Sequence, residues 1–344
     1  MRKFNLQLFA NANVQTTLLN DSVHGNDLSP EMKTYYDKRL IDLAGPNLVH
    51  DQFGQEKPIP QGGGKTIEFR KYDSLPKATT PLTEGVTPDG NHLNVTTVTA
   101  TIDQYGDYIT ISDLLKLTAI DNNITEALHL LGDQAGRTLD TITRDVLAGG
   151  SNVNYAGGKN SRASLTTSDK LTIDEIEKAA TQLKAANCPT FDDGSYVAIV
   201  HPYTSYDLRR SSDWIDVHKY TDAAVDKMFE GEIGKIGKVR FVESTEAKVW
   251  KSSADNCPSY VEGSDTLYYG VFSTLVLGKN AYGKTSVNGG GLQTIVKQLG
   301  AGDDPLNQRA TVGWKATKTA ERLVEQYMIR IESLSAYSKS VTAN

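Results

Sequence analysis

The chain has 344 residues, enough for about two domains or one elaborated domain. Its 36 basic and 42 acidic side chains leave a net charge of −6, which excludes a basic, DNA-wrapping protein. Hydrophobic residues make up 38%, far above the disordered range, so a core can form; the 34 threonines favour pleated, half-buried surfaces and hence β structure. Residues 1–30 are amide-rich, lack periodicity and read as an extended arm. The stretch Met1–Ala12 has two basic residues and an Ala-x-Ala, but Asn5 and Gln7 interrupt an apolar run too short for a secretory leader. A short helix is expected next, with Ser29 as N-cap, Pro30 at N1, Tyr35, Leu40, Ile41 and Leu43 as its apolar face, and Gly45-Pro46 beyond its end. Residues 54–64, rich in Gly and Pro, read as loop.

Thr66 to Tyr72 alternates apolar and polar residues and predicts a strand. Val95 to Ile111 predicts a second, bent at Gly106. About twenty Pro-, Thr- and Gly-rich residues lie between them, too many for a compact hairpin; the pair reads as a projecting ribbon, which is marginal in water unless it lies on a neighbour. Asp121 or Asn122 caps the clearest helix. Ile124, Leu128, Leu131, Ala135, Leu139, Ile142 and Val146 recur at spacings of three and four and form one stripe, and Gly149-Gly150 ends it. Residues 151–168 read as polar loop. A helix over Ile176, Ala179, Ala180 and Leu183 ends at Asn187-Cys188-Pro189, Tyr196–Val200 is a buried strand, and a helix follows His201-Pro202. Gly-punctuated residues 231–243 turn into a strand. Further strands are expected at 266–277, within 283–304, at 311–318 and at 323–333. The middle of the chain is thus a mixed α/β unit inserted between flanks that pack together.

Gly278-Lys279-Asn280-Ala281-Tyr282-Gly283-Lys284-Thr285 satisfies the phosphate-loop pattern, with Lys284 for phosphate oxygens and Thr285 for Mg²⁺. Such a loop must open a helix, whereas Ser286-Val287-Asn288-Gly289-Gly290-Gly291 will not start one. His24, His50, His92, His129, His201 and His218 are scattered and form no ligand pair. His129, beside the helix stripe, reads as structural. Cys188 and Cys257 form neither a disulfide framework nor a zinc site. No apolar run reaches the ~18–20 residues of a membrane span. Residues 57–77 carry five basic side chains (Lys57, Lys65, Arg70, Lys71, Lys77) against Glu68 and Asp73; a solvated strand face competes with charge pairing to a like subunit.

Several stretches in order resemble the major capsid proteins of tailed bacteriophages: Ser29-Pro30-Glu31-Met32, Leu48–Gly54, Gly64–Arg70, Pro81–Pro88, Gln134–Asp140, Gly231-Glu232-Ile233-Gly234, Ala281-Tyr282-Gly283, and Asp304–Arg309 before Val312-Gly313-Trp314-Lys315. The similarity runs over residues 5–333 and is greatest to the capsid family named after phage N4. The resemblance implies an α+β chain of the Hong Kong 97-type capsid fold: an N-terminal arm with a short helix (1–57), an extended β-hairpin loop (58–111), a peripheral domain on a long spine helix (112–169), a mixed α/β axial domain (170–304), and return strands of the peripheral domain (305–344). It implies a structural subunit, not an enzyme, that assembles into hexamers and pentamers of an icosahedral head shell around packaged phage DNA. No catalytic residue, cofactor, metal or membrane is expected. The expected partners are copies of the chain, portal, scaffolding and decoration proteins, and non-specifically held double-stranded DNA. Assembly is expected in the bacterial host cytoplasm, with the shell of the virion as destination. Lys65, Glu68, Arg70, Lys71, Asp73 and Glu84 are the candidate inter-subunit contacts. A cellular nanocompartment shell of the same fold, or a nucleotide-binding enzyme using Gly278–Thr285, are the alternatives.

Overall fold

The computed structural model describes residues 18–21, 25–28, 40, 48–58, 65–72, 75–82, 84–87, 90–118, 123–212, 214–215, 232–285, 292–299, 304 and 306–339. The chain falls into two units, each built from separated stretches: 1–47, 104–137 and 287–317 in the first, and 48–103, 138–286 and 318–344 in the second.

In chain order, β1 (Leu18–Asp21) and β2 (Gly25–Leu28) form an antiparallel hairpin. This departs from the expected featureless arm: backbone pairing needs no alternating side chains, so the sequence pattern does not announce it. The helix expected between Ser29 and Gly45 lies almost wholly outside the described residues. β3 (Gln55–Lys57) follows, then β4 (Thr66–Tyr72), β5 (Val95–Thr101) and β6 (Asp103–Ser112). The single bent strand expected over 95–111 is two strands, and they break at Ile102 rather than Gly106. Gly106 instead lets another strand come close, since a Cβ there would stand 2.6 Å from the Trp314 carbonyl oxygen.

Next come α1 (Asp113–Thr118), α2 (Asn123–Ala148), β7 (Val153–Tyr155), α3 (Ile173–Ala185), β8 (Tyr196–Val200), α4 (Pro202–Arg209), β9 (Glu232–Ile236) and β10 (Val239–Glu243). The remaining strands are β11 (Val249–Trp250), β12 (Ser259–Glu262), β13 (Asp265–Tyr268), β14 (Val271–Leu277), β15 (Tyr282–Thr285), β16 (Leu292–Lys297), β17 (Arg309–Lys318), β18 (Ala320–Arg322) and β19 (Met328–Ser333). Residues 151–168, expected as loop, hold β7 and two 3₁₀ turns.

The first unit contains the sheet β16-β17-β6. Its share of α2 buries Leu128, Leu131 and Ala135, as the helical stripe predicts. Trp314 on β17 is buried and donates from Nε1 to Gln134 Oε1 at 3.2 Å; Gln134 Nε2 in turn donates to Asp107 at 2.7 Å.

The second unit is organised by the mixed sheet β7-β19-β14-β8-β10-β9, with β11 added on β14. β8 lies between an antiparallel and a parallel neighbour, and all five of its residues are buried. That explains its unbroken apolar run: Tyr196, Ala198 and Val200 join a cluster with Ile176, Leu183 and Phe241, while Val197 and Ile199 join Phe53, Leu147, Leu275 and Tyr282. Thr172 caps α3 by accepting from the Glu175 N–H, and Asn187 at φ 53 leads the chain away beyond its end. His201 caps α4 through Nδ1, which accepts from the Tyr203 N–H at 3.1 Å, with Pro202 at the first helical position. Truncating Phe241, which is fully buried, would cost about 3–5 kcal/mol.

Candidate assembly surface

β4 and β5 pair in antiparallel register from Thr66↔Thr101 to Tyr72↔Val95. The alternation of β4 sorts its side chains: Ile67 and Phe69 are buried with Ala100, against Val98, Ile102 and Leu323, whereas Glu68 and Arg70 face water; Lys65, just before the strand, is exposed too. Phe69 lies against Gly283 of β15 so closely that a methyl group there would overlap the ring. Lys57 Nζ donates to the Glu68 carbonyl and stands 5.8 Å from the Phe69 ring centroid. The root of the ribbon is therefore part of the second unit's own body.

Beyond that root, the described residues from Leu75 to Asn94 form no helix or strand, and every one of their side chains is exposed. Four are large and apolar: Leu75 is 56% exposed, Leu82 78%, Val86 62% and Leu93 67%. Composition alone missed them, because isolated Leu and Val in a Pro-, Thr- and Gly-rich stretch carry no periodicity. Of the charged candidates, Lys65, Glu68, Arg70 and Glu84 are exposed, Lys71 is half-buried, and Asp73 lies outside the described residues. The two-residue repeat puts Glu68 and Arg70 on one face of β4, whereas Lys65 precedes the strand and has the parity of Ile67 and Phe69.

The phosphate-loop pattern is taken apart by the fold. Gly278 follows β14, and its Cα packs on Cys188. Lys284 and Thr285 lie on β15 instead of opening a helix. Lys284 Nζ stands 3.8 Å from Glu56, and the buried Thr285 hydroxyl donates to the Thr319 carbonyl at 3.2 Å and accepts from its N–H at 3.0 Å. Neither is available to a phosphate. His129 is exposed, contrary to its reading as a structural histidine. His201 is buried against Phe272 and Tyr203, and burial pushes its pKa down to about 4. Cys188 and Cys257 are separate buried thiols, and burial raises Cys188 to about 12. Among the described residues, no group of three or more His, Cys, Asp or Glu could hold a metal ion, and no helix is long and apolar enough to cross a membrane.

One polar centre of the second unit has no counterpart in the sequence reading. His50, Asp51, Asp140, Thr143, Tyr282 and Lys318 are all buried. Asp140 receives the His50 backbone N–H at 2.7 Å and pairs with His50 Nδ1 at 2.6 Å; the Tyr282 hydroxyl donates to the His50 carbonyl. Thr143 donates to Asp51 Oδ1 at 2.6 Å, and Lys318 Nζ contacts Asp51 Oδ2. Desolvation lowers the Lys318 pKa, with Asp51 opposing it, and raises that of Tyr282 well above the phenolic range.

A family model described as phage capsid protein matches residues 103–302, more than half of the chain. The fold is similar to the capsid of Ralstonia phage GP4, with TM-score 0.63 and 17% identity over 85% of this chain and 88% of that one. It is also similar to the capsid of cyanophage P-SCSP1u, with TM-score 0.59 and 16% identity over 84% and 89%. The SrpI encapsulin complex of Synechococcus elongatus follows at TM-score 0.53 and 10% identity over 87% and 91%. No curated protein matches the sequence. These structural likenesses carry the Hong Kong 97-type fold, and the sequence model carries the kinship: the chain belongs to the phage capsid protein family.

Proposed function

We propose that the ribbon built from β4 and β5, with its apolar tip, and the arm formed by residues 1–28 lie over adjacent copies of the chain, and that these contacts build hexamers and pentamers. As a phage capsid protein the chain is a structural subunit of the head shell in the virion and not an enzyme. The single observation that supports the contact reading is the loop from Leu75 to Asn94, whose four large apolar side chains project from a root that is already packed. An isolated ribbon carrying such groups is stabilised by a partner surface. Each contact is weak, and closed symmetry multiplies it over the shell. Lys65, Glu68, Arg70, Lys71, Asp73 and Glu84 would supply the polar rim of the same contact.

The finer kinship we favour is with the capsid family named after phage N4, on the motif order from Leu48–Gly54 to Val312–Lys315. Portal, scaffolding and decoration proteins are the proposed partners. The net charge of −6 suits a container that holds DNA without gripping it. Deleting residues 75–92 tests the reading. The expected product is a folded chain that no longer makes shells; particles of normal size and yield from the deletion would overturn it. The encapsulin likeness keeps a cellular compartment as the second reading, and particles that package DNA instead of a protein cargo would exclude it.

A further inference from the structure

The buried polar centre of the second unit plays no part in the contact surface. Its groups are sorted into two pairs: His50 holds Asp140 through two hydrogen bonds, while the amine of Lys318 lies against Oδ2 of Asp51, whose Oδ1 accepts from the Thr143 hydroxyl. The side chains of Lys318 and Asp51 are only 1% and 3% exposed, and they lie 267 residues apart in the chain. A buried ion pair sacrifices the hydration of both charges, and its mutual attraction seldom repays all of that.

We propose that Lys318 and Asp51 condense to an isopeptide bond, which staples the loop at residues 48–53 to the end of β17. The ammonium first passes one proton to Asp51 Oδ2 along their existing contact, leaving a neutral amine beside a neutral carboxylic acid. The Nζ lone pair then attacks Cγ, and the N–C bond forms while charge builds on Oδ1, where the Thr143 hydroxyl already donates. A second Nζ proton passes to Oδ2, the Cγ–Oδ2 bond breaks, and one water leaves. The pair enters with charges of opposite sign and leaves as a neutral amide, so atoms and charge balance and no oxidant or co-reactant is consumed. Amide formation is uphill in bulk water because both reactants are ionised and water is abundant; a dry site that fixes amine on carboxyl removes both obstacles. Desolvation favours the neutral amine, and nearby Lys284 acts in the same direction, against the attraction of Asp51 and Asp140. The product eliminates two buried charges and leaves the His50–Asp140 pair untouched.

Intact-mass spectrometry of the purified full chain is the test, and it needs no variant. Condensation makes the chain about 18 Da lighter than its sequence, the mass of one water. A tryptic digest then contains a branched peptide joining residues 40–65 to 316–322, because a cross-linked Lys318 is not cleaved. Lys318→Arg keeps the charge but cannot condense, and returns the chain to its full mass. Asp51→Asn condenses with loss of ammonia, so its deficit becomes about 17 Da. A wild-type chain at full mass, with residues 316–318 released as a separate peptide, overturns the proposal and leaves an ordinary ion pair. A deficit of about 18 Da that persists in Lys318→Arg overturns it too, since the water would then come from elsewhere.

Discussion

Replacing Leu82 and Val86 together by Ser separates folding from assembly. The two side chains are 78% and 62% exposed, so the isolated chain loses almost nothing; surface changes of this kind stay within about 0.5 kcal/mol. On the proposed contact, the same groups become covered in a shell. Burying a whole Leu or Val side chain is worth roughly 1.5–3 kcal/mol, and the exposed fractions amount to about one and a half side chains. Each inter-subunit contact should therefore weaken by roughly 2–4 kcal/mol, about 30- to 700-fold. Because every subunit carries the change, closed shells should vanish at concentrations where the wild type forms them. Light scattering coupled to size exclusion reads assembly, and circular dichroism reads the melting temperature of the unassembled chain. Shells at wild-type yield would refute the reasoning. So would a fall in melting temperature of more than a few degrees, since the loop would then be packing on its own body.

Glu332 is fully buried and accepts from Arg162 at 2.7 and 2.8 Å and from Arg330 at 2.9 Å, with Arg162 stacked 3.8 Å from the Trp250 ring centroid. Glu332→Gln leaves two guanidinium groups short of their anion and should cost about 3–5 kcal/mol, read as a lower urea midpoint; an unchanged midpoint contradicts it. His201 is held neutral by burial, its pKa lowered from the ordinary 6.5 to about 4. The folded value lies below the unfolded one, so its contribution is intact above about pH 6.5 and is lost as pH falls towards 4. His201→Asn keeps an acceptor at the cap of α4 and should flatten that acid limb by up to about 3 kcal/mol; urea titrations at pH 7 and 4.5 that fall equally for both proteins refute this. Lys284→Ala removes only a half-exposed pairing with Glu56, worth under about 1 kcal/mol; isothermal titration with ATP should show no binding before or after, and binding that disappears in the variant would revive the phosphate loop.

Local periodicity carries much of this fold. The two-residue repeat of Thr66–Tyr72 and the three-and-four spacing of Ile124–Val146 announce β4 and α2, because one face of each must leave water. The same pattern misleads at the far end of α2. Ile142 and Val146 complete the apolar stripe, yet they are only half-buried, while Asp140, Thr143 and Arg144 are buried with Leu147. A polar residue enters a core only when partners meet it. Asp140 and Thr143 find theirs at His50 and Asp51, about ninety residues earlier in the chain, and no local spacing reveals that meeting. At Gly278–Thr285 the motif is complete in letters, but its residues continue into a strand, and the N–H groups of Gly278, Lys279 and Thr285 donate to the Tyr327, Pro189 and Thr319 carbonyls, not to a phosphate. The exposure of Glu68 and Arg70 is legible from alternation; that of the apolar loop residues is not, because exposure of an isolated Leu is a property of the folded surface.

Cryo-electron microscopy of the purified, concentrated chain is the most direct measurement. Self-assembly through the ribbon predicts closed icosahedral shells in which density for residues 75–94 of each subunit rests on a neighbouring copy. A protein that stays monomeric at every concentration, with that loop folded onto its own second unit, would contradict the account.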